Sequence, residues 1–479
     1  MPGTKPHPKS ASDTKAVMSD SIGNDAAGSL TAHVAEFVAN TRYGDIPAAT
    51  LHNAKRAILD TMGAGLAGVR SERSGIVQRY ISELNCNGAA TVFGTAMHVP
   101  PRFAALANAT AMHVEDYDDV FHASRVHPST PVLAAVCAES EQAEYSGKDL
   151  LTAFSVGSEV TCKLSQAIDV EHYQRGYHAT STCGVFGVAA AISNLRRFPL
   201  ETTRTALGIA GSEAAGLREN FGTMVKPLHA GRAAESGLVA ASLAALGFSA
   251  AEKILEGPRG FFIAGGGGYD ETKLRGKLGN PWSYTSPGVS VRPFPSGNLA
   301  HPAMCKLQEL VIAHDIKPEQ VAKLLVKTNR LLPVNLNYHR PATALQGKFS
   351  MEFCLASILT LRRAGLAEFS DAVLDRTDIQ RTIDKIDYTV YSDAEAKAEQ
   401  YTLLTTFLEI VLNDGRRFQA RVDAAKGSAS IPMSEHELAE KFRECAAFAG
   451  RSEQNTENLI ELIMHLEDLD DARVLMRAI

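Results

Sequence analysis

Apolar residues in the first half of the chain recur at intervals of three and four, the spacing of one buried face of an α-helix. The pattern begins near Leu30, restarts after Pro47 and continues through several Ala-rich stretches. Alternation of β-branched and polar residues is almost absent before residue 280. Residues 29–275 are therefore predicted to form an all-helical domain, and the polar residues 1–28 before it a disordered tail.

The pattern changes after residue 320. Runs at 321–329 and 386–392 are rich in residues that favour strands, and two further runs flank Asn413-Asp414-Gly415, a strong hairpin signal. Helical patterns lie between these runs, so residues 276–430 are predicted to form a smaller α+β domain. Amphipathic helices return at 431–479 and are predicted to complete the helical domain. The expected fold class is mainly α.

Composition narrows the class of protein. Lys and Arg number 48 against 54 Asp and Glu, a net charge of -6, so nucleic acid is not an expected partner. No apolar run reaches the length of a membrane span, so no membrane partner is expected. The 7 cysteines are scattered, which indicates a reducing compartment, taken as the cytoplasm with an organelle left open.

One stretch resembles a cofactor motif. Gly63, Gly65 and Gly68 match G-x-G-x-x-G, the fingerprint of dinucleotide-binding folds. A helical pattern precedes the match where such a fold requires a strand. The glycines are therefore interpreted as a place of close helix packing, and no cofactor is predicted.

The segment 111–135, AMHVEDYDDVFHASRVHPSTPVLAA, packs acidic residues and histidines into apolar surroundings. His113, Asp116 and Asp119 share one face at helical spacing. A solvated acidic turn explains the histidines poorly, and a metal site would lack any recognised ligand spacing such as H-E-x-x-H. Acid-base chemistry is the favoured interpretation, and no metal is predicted.

Further clusters are rich in His, Lys and Arg. His178 lies in GYHATSTCGVFG, whose Thr180, Ser181 and Thr182 hydroxyls can hold an anion at a helix N-terminus; the alternative is a helix cap beside a buried histidine. The clusters that follow contain Lys226 with His229, then Arg292 with His301, then Tyr338, Arg340 and Lys348. Cationic loops in a globally acidic chain predict a substrate that carries carboxylates.

These segments resemble the MmgE/PrpD family, in the same order and at similar separations. The resemblance lies in D-Y-D-D followed by V-H-P-S, in G-Y-H-x-T-S-x-x-G-x-F-G, and in F-G-T-M-V-K-P-L-H-x-G-x-A-A. It continues through R-P-F-P-S-G-x-L-x-H-P, R-P-x-T-x-L-Q-G-K-F-S-M-E-F and K-G-S-x-x-I-P-M-S-E-x-E-L-x-x-K-F. It covers nearly all of the chain from about residue 30 onward.

The resemblance implies a large helical domain with a smaller α+β lid domain, assembled as a homodimer without metal or organic cofactor. By motif position it implies that the catalytic residues are Asp116, His127, His178 and Lys226. Tyr338, Arg292 and His229 are the expected substrate-binding residues. The chain departs from the decarboxylase-type motif at Arg292, where that motif has lysine, and at Gly297, where it has histidine.

The family includes 2-methylcitrate dehydratase, cis-aconitate decarboxylase and iminodisuccinate epimerase. The leading hypothesis is a lyase that dehydrates or decarboxylates a citrate- or aconitate-like di- or tricarboxylate through an enolate-like intermediate. His127 and His178 are expected to exchange protons, Asp116 to orient one imidazole, and Lys226 with Arg292 to hold carboxylates. The alternative is an epimerase of an iminodisuccinate-like dicarboxylate, and a non-catalytic binding protein is the least favoured hypothesis.

Overall fold

The computed structural model describes residues 28–479, apart from the side chains of Asp169 and Val170. All but the last residue of the predicted tail at 1–28 therefore lies outside the described residues. The N-terminal part contains helices and one two-stranded ribbon: α1 (Leu30–Asn40), α2 (Ala48–Gly68), α3 (Glu72–Glu83), β1 (Ala90–Thr91), β2 (His98–Val99), α4 (Pro101–His113), α5 (Ser129–Ser140), α6 (Gly147–Gln174), α7 (Ala179–Thr182), α8 (Gly184–Leu195), α9 (Leu200–Ser212), α10 (Val225–Ala245) and α11 (Phe261–Gly266).

The smaller domain alternates short helices with strands. Its elements are α12 (His301–Ala313), β3 (Val321–Thr328), α13 (Leu332–Asn335), α14 (Ala344–Gly347), α15 (Met351–Leu361), α16 (Asp371–Leu374), α17 (Thr377–Ile383), β4 (Ile386–Val390), α18 (Asp393–Ala398), β5 (Thr406–Leu412) and β6 (Arg417–Val422). The chain then ends with α19 (Glu435–Phe448), α20 (Glu453–Met464) and α21 (Arg473–Ala478). The prediction of a mainly α fold with a small α+β part is confirmed.

The four strands of the smaller domain form one sheet in the order β4-β3-β5-β6. β3 and β4 are parallel and are joined through helices, whereas β5 pairs antiparallel with β3 and with β6. The predicted hairpin is confirmed, because β5 and β6 pair in register around a turn in which Gly415 has a φ of 88°. Only glycine adopts this φ readily, which explains the Asn-Asp-Gly sequence.

Two hydrophobic cores divide the chain. The larger core takes buried residues from α1 to Tyr284 and again from Leu438 to Met476, so α19 to α21 pack into the helical part. The smaller core runs from Phe294 to Leu412 and lies between the sheet and its helices. The segment between the two cores, which contains Arg292, therefore passes directly from one to the other.

Close packing explains the three glycines of the apparent cofactor motif. All lie within α2, a continuous helix. A Cβ on Gly65 would lie 2.9 Å from Met112 Cγ, and one on Gly68 would lie 1.9 Å from the Ala111 carbonyl oxygen. A larger residue would push α4 away, and α4 leads into the acidic segment. The glycines therefore bring two helices together, as the sequence pattern indicated.

The Ala-rich periodic pattern also predicts a helix over residues 207–217, and the end of this helix differs in the structure. In the structure α9 ends at Ser212. Gly216 has a φ of 129°, and its carbonyl accepts a hydrogen bond from the His178 backbone amide at 3.0 Å. The chain leaves the helix because residues 213–217 turn towards His178. Within the described residues, no helix is long and apolar enough to cross a membrane.

Candidate active site

The acidic segment begins where α4 ends at His113. Asp116 follows with a φ of 57°, a left-handed conformation that costs energy for a residue with a Cβ and that Asp tolerates better than most. Asp116, Asp118 and Asp119 are all buried. A buried carboxylate is unfavourable unless it is paired or protonated, so each of these groups requires partners. Residues 115–119 are called the acidic turn below.

Asp116 is paired with two cations. Lys226 Nζ, from the first turn of α10, donates to both carboxylate oxygens at 2.7 Å. Arg292 Nη1 donates to Asp116 Oδ1 and, at 2.6 Å, to the Asp116 backbone carbonyl. Burial alone would raise the pKa of Asp116, but Lys226 and Arg292 outweigh it and hold that pKa well below its usual range. Asp116 is therefore an ionised anchor for two cations.

Asp118 is the carboxylate that lies against the imidazoles. Its Oδ2 accepts from His113 Nδ1 at 2.8 Å and from Thr130 Oγ1 at 2.7 Å, and it lies 3.3 Å from His127 Nδ1. Burial opposes ionisation, but the two histidines hold the pKa of Asp118 well below its usual range. Asp116 was expected to orient one imidazole. In the structure it is Asp118 that lies beside the His127 ring and has the position for that role.

His127 has neighbours at both ring nitrogens. Arg292 Nη2 donates to Nε2 at 3.1 Å, so Nε2 is the acceptor and the proton of the neutral ring lies at Nδ1, facing Asp118. Burial lowers the pKa of His127 to about 4; Asp118 opposes this shift and Arg292 adds to it. The ring is therefore neutral at physiological pH and fixed in one tautomer.

Three of these groups could also serve as metal ligands. The donor atoms of His113, Asp118 and His127 all lie within 4.8 Å of one another. A metal bound there would need the lone pair of His127 Nδ1, whereas the hydrogen bond from Arg292 to Nε2 places a proton on Nδ1. The donor set therefore fits a hydrogen-bonded relay better than a metal site, and the absence of a metal stays a prediction.

His178 forms a second imidazole pair. Its Nδ1 lies 3.1 Å from Nδ1 of His229 on α10, so one ring must donate to the other. The His178 ring also stacks on His113, with centroids 5.9 Å apart. Burial, with His113 and Lys226 nearby, lowers the pKa of His178 well below 6.5, and burial lowers that of His229 to about 4. Both rings are neutral at physiological pH.

The hydroxyls after His178 have a different role from the one expected. Thr180 Oγ1 accepts from the His127 backbone amide at 3.1 Å, and Ser181 Oγ donates to the His229 carbonyl at 3.1 Å. Thr182 Oγ1 lies 2.7 Å from His172 Nε2. These hydroxyls are buried and occupied within the protein. They therefore fix three histidine-bearing segments and are not placed as anion ligands.

The loop before α10 forms the more accessible side of the site. Phe221 contacts the His178 ring edge-on, with centroids 4.9 Å apart, and Lys226 Nζ lies 5.6 Å from the Phe221 centroid. Gly222 has a φ of 82°, and a Cβ built on it would lie 3.6 Å from the Tyr338 hydroxyl. Tyr338, half-buried, thus reaches from the smaller domain to the loop that precedes Lys226 and α10.

The remaining acidic residues of the turn connect it to other elements. Glu115 accepts from Lys348 of the smaller domain, which also donates to the Glu115 carbonyl at 2.9 Å. Asp119 accepts from Ser129, whose hydroxyl lies 2.6 Å from that of Tyr284. Burial raises the pKa of Asp119 well above its usual range, and the carboxyl group has a structural role through its bond with Ser129.

The structure brings most of the predicted residues together. Asp116, His127, Lys226 and Arg292 form one contact network, His178 and His229 form the adjacent pair, and Tyr338 approaches through Gly222. Arg292 was expected to bind substrate, and in this structure its guanidinium binds protein groups. The contact between Asp118 and His113 was not predicted; its signal was that both residues lie in segment 111–135, whose apolar surroundings indicate burial.

Two family models match the chain. The MmgE/PrpD N-terminal domain matches residues 32–272 and the MmgE/PrpD C-terminal domain matches residues 294–466. A cis-aconitate decarboxylase of Homo sapiens is 29% identical over 460 residues, covering 93% of this chain and 94% of that protein. The Mus musculus cis-aconitate decarboxylase is 29% identical over 464 residues, covering 94% and 93%. That of Aspergillus terreus is 26% identical over 483 residues, covering 95% and 97%.

Proposed function

The chain belongs to the MmgE/PrpD family and is an enzyme of the lyase type, and from this premise we propose that it decarboxylates a cis-aconitate-like tricarboxylate. The observation that carries the proposal is the pairing of half-buried Lys226 with buried Asp116 beside a neutral histidine pair, His178 and His229. Such a site can hold carboxylates and also move a proton. The relatives named above, all cis-aconitate decarboxylases, support this choice of reaction.

The chemistry requires one proton and no oxidant. When the C–C bond to a carboxylate breaks, CO2 leaves and the electron pair stays on the substrate, delocalised through the double bond to a second carboxylate. A proton must then be added to the carbon that bears this second carboxylate, at the far end of the delocalised system. Fixed cations near the carboxylates stabilise the developing charge, and a group with a pKa near neutrality supplies the proton.

Lys226 is the proposed proton donor. Burial lowers its pKa; Asp116 opposes this shift and Arg292 adds to it, so the ammonium is a better acid than a lysine in water. His178 and Lys226 both lie against the Phe221 ring, and the depressed pKa of His178 keeps its imidazole neutral. It is the proposed proton carrier that restores Lys226 after each turnover, with His229 setting its tautomer.

His127 and Arg292 have the proposed role of receiving a carboxylate. Arg292 Nε is buried and has no hydrogen-bond partner among the described residues, whereas Nη1 donates to Asp116 and Nη2 donates to His127. A substrate carboxylate has the geometry to replace Asp116 or His127 as a bidentate partner of the guanidinium. His127 Nε2 would then become free to contact the substrate, while Asp118 continues to hold its Nδ1.

A turnover assay tests the function. Purified enzyme is incubated with cis-aconitate in deuterated water, and the products are followed by NMR and by CO2 release. Decarboxylation predicts CO2 and a five-carbon unsaturated dicarboxylate with one solvent-derived deuterium. The same assay with 2-methylcitrate and with iminodisuccinate provides the other arms. Loss of water from 2-methylcitrate would replace decarboxylation with dehydration as the proposed reaction. Deuterium exchange into iminodisuccinate without net loss of substrate would replace it with epimerisation.

Variants of Lys226 test the role of that residue. Lys226→Arg keeps a positive charge beside Asp116 but cannot donate a proton near neutral pH. Lys226→Met removes both the positive charge and the proton donor. Both variants are expected to lose about a thousandfold in kcat, and only Lys226→Met to show a raised KM. Lys226→Arg with near-wild-type kcat would contradict the assignment of Lys226 as proton donor.

Two further expectations stay predictions for this chain. A homodimer is proposed from the family resemblance, and sedimentation equilibrium measures it directly. A cytoplasmic location is proposed from the cysteines, all of which are free thiols in the structure, as expected for a reducing compartment. Fractionation of cells that produce the protein would test this location.

A further inference from the structure

The late motif K-G-S-x-x-I-P-M-S-E-x-E-L-x-x-K-F has as its penultimate residue a lysine that the chemistry above does not use. This residue, Lys441, lies in the middle of α19, and its side chain is 5% exposed. Its Nζ donates to Asp60 Oδ1 on α2 and, at 2.7 Å, to the backbone carbonyl of Tyr117. The ammonium also lies 3.8 Å from the centroid of the Tyr117 ring. A helix from the C-terminal segment thus contacts the acidic turn.

Tyr117 stands between the two carboxylates that contact the site cations and imidazoles. Asp116 before it has the unfavourable φ of 57°, and Asp118 after it holds His113 and His127. The orientation of the peptide after Tyr117 fixes where both carboxylates point. Because that carbonyl is buried, loss of its donor would leave an unpaired polar group and remove the restraint on the turn.

We propose that Lys441 is a positioning residue for the reaction, which holds the Asp116 and Asp118 carboxylates in their working orientation through the Tyr117 carbonyl. This role rests on the proposed function, since it acts through the groups assigned to the chemistry. The C-terminal helices then complete the active site as well as the core. Catalysis is sensitive to such displacement, because a shift of about 1 Å in a catalytic group can cost about a hundredfold in rate.

The competing explanation is that Lys441 serves stability alone, through its ion pair with Asp60. The chain offers a matched control for this alternative. Lys55, on α2, is similarly buried and donates at 2.6 Å to the Met464 carbonyl and at 2.6 Å to Glu467. Lys55 therefore also ties α2 to the C-terminal segment through one carbonyl and one carboxylate, but it contacts no part of the acidic turn.

The test compares Lys441→Met, Lys55→Met, Asp60→Asn and the double variant Lys441→Met/Asp60→Asn. Steady-state kinetics and thermal unfolding are measured on the full chain. Lys441→Met is expected to lower kcat about a hundredfold, with KM changed less than about threefold, and to lower the unfolding temperature. Lys55→Met is expected to lower the unfolding temperature while kcat stays near wild type.

The double variant separates the two roles. It removes the unpaired carboxylate that Lys441→Met leaves in the core, so its unfolding temperature is expected to rise above that of Lys441→Met. Its kcat is expected to stay low, because the Tyr117 carbonyl still lacks a donor. Asp60→Asn alone keeps that donor and is expected to retain kcat. Recovery of kcat in the double variant, or an equal loss in Lys55→Met, would overturn the positioning role.

A structural readout keeps this test independent of the proposed function. A crystal structure of the double variant is expected to show the Asp116 and Asp118 carboxylates displaced relative to wild type. An undisplaced turn would overturn the inference even if the enzyme decarboxylates cis-aconitate. Wild-type enzyme that turns over none of the three substrates would instead refute the proposed function, and the displaced turn could still be observed.

Discussion

His127 and His178 are both buried imidazoles with depressed pKa values, yet their surroundings differ. On the His127 side, Arg292 contacts one ring nitrogen and Asp118 faces the other, so the ring is held in one tautomer. On the His178 side, Nδ1 pairs with His229, the ring stacks on His113, and Phe221 of the accessible loop packs against the ring at 84°. The first arrangement favours a fixed acceptor and the second favours proton exchange. Residue type alone would not distinguish them.

The largest expected effect separates these two histidines. His178→Ala should lower kcat about a thousandfold, because it removes a proton carrier. His127→Ala should lower kcat/KM about tenfold, since Arg292 loses one acceptor but keeps Asp116. Both are measured by single-turnover kinetics with cis-aconitate. A larger loss in kcat for His127→Ala would reverse the comparison, and near-wild-type turnover in His178→Ala would remove His178 from the mechanism.

Asp118→Asn tests whether the arrangement around His127 depends on the Asp118 carboxylate. The amide keeps the shape of the side chain but lacks the negative charge that accepts from His113 and Thr130 and lies 3.3 Å from His127 Nδ1. We expect about a hundredfold lower kcat and an unfolding free energy lower by about 3 kcal/mol. Asp119→Asn is the control and should change kcat little, because the parent carboxyl group pairs with the Ser129 hydroxyl instead of an imidazole. Equal losses in the two variants would contradict a specific role for Asp118.

Acid stability tests the histidine pair. The folded pKa of His229 is about 4, below the ordinary value of 6.5, so the unfolded chain takes up a proton first as the pH falls. The stability due to neutral His229 is complete above pH 6.5 and is lost between pH 6.5 and 4. We expect His229→Asn to reduce the decline in unfolding free energy over this window by about 2 kcal/mol, allowing for solvent screening. Parallel denaturation curves for wild type and variant would contradict this pKa.

The smallest expected effect concerns the departure from the decarboxylase-type motif. Arg292→Lys restores the lysine of that motif, but one ammonium cannot reach Asp116 and His127 with the same planar geometry. We expect kcat/KM for cis-aconitate to fall about tenfold, mostly through KM. Steady-state kinetics checks this, with Arg73→Lys as a control on a cation that lies 3.9 Å from Glu115. Higher activity in Arg292→Lys would show that this arginine is adapted to another substrate.

Local sequence alone determined the helices, the strands around Asn413-Asp414-Gly415 and the family, because periodicity, turn chemistry and ordered motifs act over short distances. It also selected Asp116, His127, His178 and Lys226 as candidates by residue type and motif. The helix predicted over residues 207–217 ended early because the Gly216 carbonyl pairs with His178, a contact between distant segments.

Only the tertiary structure decided which charged groups meet. Arg292 reaches Asp116 across 176 residues of sequence, and Lys441 reaches Tyr117 across 324. Neighbouring carboxylates of one motif have pKa values shifted in opposite directions, since Asp118 faces imidazoles and Asp119 faces hydroxyls. The physical reason is that pairing and pKa depend on burial and on charges within a few ångströms. Those neighbours come from segments whose approach no local pattern encodes.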